Sequence, residues 1–246
     1  MADHLGNRAH RCPLDAGAVS TTAGTGAICL QGGRELTPPC DDMDRLVVER
    51  SNGAIVVLAG AARPGSDYAG ASARTVAHYQ RLGASVDIVP DPRDDVATAI
   101  DALHDDVGLV VLPGGSPGGL LDVLMTPGDD GSTVGARLVD LWARGTVISG
   151  ASAGAMVLCR HTATPDRSSD RVEGLGLVAG MAIPHWSPGS ERRWALPETL
   201  LWGLPECGGT LIDAGMMIGV GQGAAAVRSG STWSTIHRTT PQPVPR

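Results

Sequence analysis

Short apolar runs that end in Gly or Pro, each followed by an amphipathic stretch, constrain this chain more than any other feature. The runs are Ala27–Leu30, Ile55–Leu58, Val86–Val89, Leu109–Leu112 and Thr146–Ser149. Helix-patterned stretches lie between them, at about Asp41–Arg50, Tyr68–Leu82 and Asp94–His104, with two pieces between Gly118 and Arg144. Continuous apolar strands alternating with helices predict a mostly parallel sheet covered by helices on both faces, an α/β fold. Beyond Leu175 the pattern changes to short apolar pieces, Leu175–Val178, Met216–Val220 and Ala224–Val227, separated by Gly-rich turns. These predict extra C-terminal strands, partly antiparallel, with a helix near Glu191–Leu201. Residues 1–25 mix Gly, Ala, Thr and charge without period and are expected to form a disordered N-terminal tail. Residues 26–238 are expected to form a single domain, and the Pro-rich stretch 239–246 a loose C-terminal tail.

Counting residue types removes whole classes of chemistry. The chain has no Lys, so all 19 basic residues are Arg. A Ser-Lys dyad, a Schiff-base lysine and a phosphate-loop lysine are therefore excluded. Phe is absent as well, and the net charge is -7. A basic, aromatic surface for nucleic acid is not expected. The five cysteines include no CxxC pair, which argues against a disulfide framework or a zinc ribbon. No apolar run reaches the roughly 18 residues of a membrane span, and residues 1–25 lack the apolar segment of a secretory signal. A cytoplasmic setting is the expectation.

The sharpest chemical signal is Val147-Ile148-Ser149-Gly150-Ala151-Ser152-Ala153-Gly154-Ala155-Met156. It reads as strand, tight turn and helix with GxSxG at the turn. Such spacing suits a nucleophile on a strained elbow, where small neighbours let strand and helix pass closely. Ser152 is then held exposed, with the N–H of Ala153 facing a developing oxyanion. The Gly114-Gly115 pair after the fourth run fits a second oxyanion donor, because no Cβ blocks the approach of its backbone. With no Lys, a serine nucleophile needs His as its base. Of the seven histidines, His185 and His237 each follow a late apolar piece, and His185 is preferred. Cys159 is expected two turns along the helix from Ser152, buried and inert.

Four blocks in order carry a resemblance: Gly32-Gly33, then Leu112 to Leu121, then Gly150 to Met156, then Gly174-Leu175-Gly176-Leu177 with Pro184-His185-Trp186. Over roughly Ala27 to Trp233 the chain resembles peptidase family S51, the cyanophycinase and aspartyl dipeptidase group. The resemblance implies a class I glutamine amidotransferase-like fold with Ser in place of Cys, and a serine-dependent hydrolase of small peptides working through an acyl-enzyme. It implies Ser152 as nucleophile, His185 as base, and Gly115 and Ala153 as oxyanion donors. Gly114, Ser116, Trp186 and Arg192 are the expected substrate contacts. It implies no cofactor and no metal. The partner expected is a small peptide, with neither nucleic acid nor membrane, and the assembly state is open to a homodimer.

Two departures from the family pattern matter. Where the family carries an acid in a late strand-turn block, this chain has Gly219-Val220-Gly221-Gln222-Gly223-Ala224-Ala225, so Gln222 stands where a carboxylate would orient His185. Asp166, Asp170 and Glu173 are the alternative carboxylates. Pro117 and the register of Arg192-Arg193 also depart from cyanophycin-cleaving members. Two further readings follow: a non-catalytic or weakly active binding module, because of Gln222, and an α/β-hydrolase esterase using Ser152, Asp213 and His237.

Overall fold

A computed structural model of the protein describes residues 24–165, 168–193 and 200–245. The expected tail lies almost wholly outside the described residues. The first half alternates as its sequence pattern requires: β1 (Ile28–Gln31), α1 (Asp41–Arg50), β2 (Ala54–Val57), α2 (Ser66–Arg81), β3 (Asp87–Ile88), α3 (Val96–Ala102), β4 (Val107–Leu112), α4 (Pro117–Met125), α5 (Val134–Ala143), β5 (Val147–Ala151) and α6 (Ala153–Leu158). The rest is almost entirely strand: β6 (Cys159–Thr164), β7 (Ser168–Glu173), β8 (Val178–Ile183), β9 (Leu201–Gly203), β10 (Gly208–Asp213), β11 (Met216–Gly221), β12 (Ala226–Ser229), β13 (Thr232–Thr235) and β14 (Gln242–Pro243).

Two sheets result. The eight-stranded sheet has the order β14-β11-β10-β1-β5-β4-β2-β3, and the six-stranded sheet β13-β12-β9-β8-β6-β7. β1, β5, β4, β2 and β3 pair in parallel, while β10, β11 and β14 extend the sheet antiparallel. The apolar runs of β1, β2, β4 and β5 are buried on both faces, whereas the two residues of β3, at the sheet edge, are exposed. One core contains Leu30, Val110, Leu112, Leu120, Leu138 and Ile148 and continues to Ala182, Trp202 and Val227 of the second sheet. The opposite face packs Cys29, Val57, Val111 and Leu211 against Met43 and Val47 of α1 and Tyr79 of α2.

Two expectations change. Cys159 is not helical: α6 ends at Leu158, and Cys159 opens β6, which pairs in parallel with β8. It is buried all the same; its Sγ lies 3.5 Å from the Ala155 carbonyl, and burial pushes its thiol up to about 12. Of the stretch Glu191–Leu201 expected to hold a helix, residues 194–199 lie outside the described residues; its ends are a 3-10 turn, Ser190–Arg193, and the first residue of β9. Trp202 decides the latter part. Its fully buried ring and Nε1–H donation to the Ala179 carbonyl hold it in the second sheet. The C-terminal segment is docked: Gln242 and Pro243 pair with Met217 and Met216, and Val244 N–H donates to Gly215 O.

A buried polar cluster ties α1 and α2 to the two central strands. The Asp44 carboxylate accepts from Gln31 Nε2 of β1 at 2.9 Å, and that amide also donates to Ser149 Oγ of β5 at 3.0 Å. Asp44 Oδ2 lies 2.7 Å from His78 Nε2, and Tyr79 Oη reaches Oδ1 at 3.4 Å. Arg81 donates to His78 Nδ1 at 3.0 Å, so the ring proton resides on Nε2, facing Asp44. A buried charge is tolerable only with such donors around it. Asp44→Ala would strand the His78, Gln31 and Tyr79 donors, and should cost about 3–5 kcal/mol of stability. Urea unfolding of the two proteins measures this; an unchanged midpoint would show that the cluster stabilises nothing.

Candidate active site

The strand-turn-helix around Ser152 is built from the sheet outward. β5 lies between β1 and β4, and its last residues meet Gln31 and Leu112 in register. Ser152 then takes φ 48° and ψ -107°, a conformation that an L side chain adopts only under constraint. Two bonds hold it there. Its N–H donates to the Gln31 carbonyl at 2.9 Å, and its carbonyl accepts from Met156 N–H at 3.0 Å. A Cβ on Gly150 would lie 2.5 Å from the Gly154 carbonyl carbon, so strand and helix cross at backbone contact. Ser152 itself remains half-buried, and the Ala153 N–H has no hydrogen-bond partner among the described residues.

His185 arrives from the other sheet. β8 ends at Ile183, and after Pro184 the chain turns with His185 at φ 52°. Its N–H donates to the Gly32 carbonyl at 2.8 Å. Gly33 lies directly beneath the ring: a Cβ there would stand 2.3 Å from His185 Cε1, and its φ of 130° disfavours a side chain as well. The imidazole Nε2 is thereby set 3.1 Å from Ser152 Oγ. Nε2 can take the hydroxyl proton only if the ring's own proton is on Nδ1. That nitrogen faces Glu206 Oε1 at 3.5 Å. The second carboxylate oxygen of Glu206 lies 3.7 Å from Arg34. The His185 and Glu206 side chains are 51% and 50% exposed, so the attraction between them is screened by water.

The structure brings some of the expected residues together and separates others. Ser152, His185, Ala153 and the Gly114-Gly115 loop meet at the ends of β5, β8 and β4. Gln222 does not stand behind the imidazole. Its side chain is exposed and makes no hydrogen bond among the described residues; its N–H donates to the Cys207 carbonyl, and its own carbonyl accepts from Arg238. Glu206 occupies the place expected for Gln222. Of the alternative carboxylates, Asp166 and the Asp170 side chain lie outside the described residues, and Glu173 faces His161 across β7 and β6.

The expected substrate contacts are redirected. Ser116 caps α4, its Oγ accepting from Gly119 N–H at 2.8 Å. Trp186 turns inward over Gly203 and packs on Trp233 with ring centroids 5.0 Å apart. Gly114 N–H is engaged by Glu35 at 2.8 Å. The Arg192 side chain lies outside the described residues. The esterase constellation is split. β10 runs antiparallel to β1, which carries Asp213 to the edge opposite Ser152, where it pairs with Arg50 at 2.9 Å. A cleft of about 670 Å³ opens beside Glu35, Thr37, Arg74, Pro113 and Gly114. Among the described residues no three His, Cys, Asp or Glu side chains converge as metal ligands, and no helix is long and apolar enough to cross a membrane.

Known proteins share this arrangement of strands and helices. A crystal structure of a peptidase from an acI-B1 Actinobacterium matches with a TM-score of 0.75 at 20% identity, covering 89% of this chain and 97% of that one. A putative peptidase E protein from Listeria monocytogenes EGD-e matches with a TM-score of 0.59 at 13% identity, covering 81% of this chain and 100% of the other. At these identities the likeness is one of fold, the class I glutamine amidotransferase-like α/β fold of peptidase E-like proteins. No curated protein matches the chain significantly. The model of peptidase family S51 matches residues 43–227, three quarters of the chain with both Ser152 and His185 inside, and the chain belongs to that family.

Proposed function

We propose that the protein is a serine-type peptidase of short peptides, an exopeptidase or dipeptidase, with Ser152 as nucleophile and His185 as base. One observation carries the reading: the strained elbow holds Ser152 Oγ 3.1 Å from His185 Nε2. In the proposed reaction Ser152 Oγ attacks the amide carbonyl carbon as Nε2 takes its proton. The negative oxygen of the tetrahedral intermediate is met by the N–H groups of Ala153 and Gly115. Collapse breaks the C–N bond, and His185 returns the proton to the leaving amine. Water, deprotonated by the same imidazole, then hydrolyses the acyl-serine.

Glu206 orients Nδ1–H and offsets the charge of the imidazolium, the role of the acid in the serine-protease example. On this reading the acid is Glu206, and Gln222 at its position does not imply an inert site.

Ser152→Ala should abolish both dipeptide hydrolysis and labelling by a fluorophosphonate. Labelling that persists in this variant would overturn the reading. Glu206→Gln should lower kcat by about 10- to 1000-fold, less than the ~10⁴ of a buried acid, because this one is half-exposed. Gln222→Glu and His237→Ala should leave turnover unchanged. A large rise with Gln222→Glu would restore Gln222 to the orienting role. Gly33→Ala should push the imidazole off Ser152 and reduce kcat by roughly 100-fold with little change in KM. Steady-state kinetics on one dipeptide compares all of them.

A further inference from the structure

The loop Pro113-Gly114-Gly115-Ser116 that follows β4 has three backbone N–H groups, since Pro has none. Gly114 N–H donates to Glu35 Oε1 at 2.8 Å. Ser116 N–H donates to the Ala61 carbonyl at 2.8 Å. Between them, Gly115 N–H has no partner among the described residues. The loop is thus pinned on both sides of a single unpaired donor. The pinned conformation is narrow. Gly115 has φ 150°, and a Cβ on it would lie 2.4 Å from the Ala61 carbonyl oxygen. It also lies against the serine: a Cβ on Gly114 would stand 3.1 Å from Ser152 Cβ and 2.6 Å from Glu35 Oε1.

Glu35 is half-buried and comes from far away in the chain, on the turn after β1. Its hydrogen bond to a backbone N–H is charge-assisted, and stronger than a neutral one. Without it the Gly114 peptide would be held only from the Ser116 side, and two glycines in a row would be free to turn.

We infer that Glu35 is a positioning residue: its carboxylate fixes the Gly114 peptide so that the next N–H, of Gly115, stays aimed at the carbonyl oxygen of the substrate. Glu35 acts through the loop and does not touch substrate. The inference rests on the peptidase reading above. Removing a whole oxyanion donor costs about 10²–10³ in kcat, so loosening one should cost about 10- to 100-fold. The carboxylate also sets a negative charge near the developing oxyanion. A glutamine keeps the accepting oxygen and removes that charge, which makes it the informative replacement.

The test compares wild type, Glu35→Ala and Glu35→Gln by three measurements: amide exchange at Gly114, kcat and KM on a dipeptide, and thermal midpoint. In Glu35→Ala, Gly114 exchange should rise and kcat should fall about 10- to 100-fold, with KM within about twofold of wild type. Glu35→Gln should restore slow exchange and bring kcat within about threefold of wild type. Unchanged kcat in Glu35→Ala, or equal losses in both variants, overturns the inference. So does a rise in KM at constant kcat, which would put Glu35 in contact with substrate. If Glu35→Ala fails to fold, a folded Glu35→Gln with a deep loss of kcat is the overturning result. Wild type that neither hydrolyses peptides nor takes the fluorophosphonate sinks the peptidase reading and this inference with it. Failure confined to the Glu35 variants sinks the inference alone.

Discussion

The end of β1 and the turn after it, Gln31 to Glu35, form the joint on which the site depends. Each of its five residues holds a different part. Gln31 O accepts from Ser152 N–H, and Gly32 O accepts from His185 N–H. Gly33 leaves room for the imidazole. Arg34 lies within ion-pair distance of Glu206, and Glu35 binds the Gly114 peptide. Topology makes this convergence unavoidable. β1 lies between β5, parallel to it, and β10, antiparallel. The end of β1 therefore faces the end of the serine strand on one side and the start of the Glu206-bearing return strand on the other. A single turn can reach both because strands in a sheet are only about 4.8 Å apart.

Strain collects where these parts meet. Among the described residues, six other than Gly have φ in the left-handed region. Arg34, Leu36, Ser152, His185 and Cys207 belong to the site or its supporting turn, and Ala214 alone lies at the far edge. Each costs of order 1 kcal/mol, and such conformations persist only where surroundings over-determine them. Here the surroundings are identifiable. Ser152 is held by bonds to Gln31 and Met156, His185 by Gly32, and Cys207 by the Gly33 carbonyl. The Asp44 cluster beneath anchors Gln31 and Ser149, so the buried polar network supports the elbow from below.

How legible the molecule is from its sequence depends on whether a local pattern sets the outcome. The parallel half was legible because β1, β2, β4 and β5 are runs buried on both faces, separated by helices with their own apolar stripes. The elbow was legible because a strand-to-helix turn at a serine needs small residues at fixed offsets. The late segment resisted. A strand of three residues such as Leu201-Trp202-Gly203 carries too few positions to show a period, and its Trp is placed by burial between β8 and β12. Ser116 looked available to a substrate, but a Ser just before Pro117 at a helix start is equally a capping signal, and the cap takes it.

Glu206 escaped for a different reason, one that concerns pairing. β10 and β11 form an antiparallel hairpin in which Gly208 faces Gly221. The residues just before β10 and just after β11 therefore emerge side by side at the same sheet edge. Gln222 N–H donates to the Cys207 carbonyl, which puts Gln222 next to the residue that follows Glu206. A carboxylate meant for His185 can thus enter from either end of the hairpin and reach nearly the same point in space. The block around Gln222 lies at this edge of the sheet, at the other end of the hairpin from Glu206. The acid within ion-pair distance of His185, Glu206, comes just before β10, the strand that adjoins β1. Spacing along the chain cannot distinguish the two positions, since the open end of a hairpin holds residues of very different number together. Only the pairing of β10 with β1 decides between them, and that pairing is a property of the sheet.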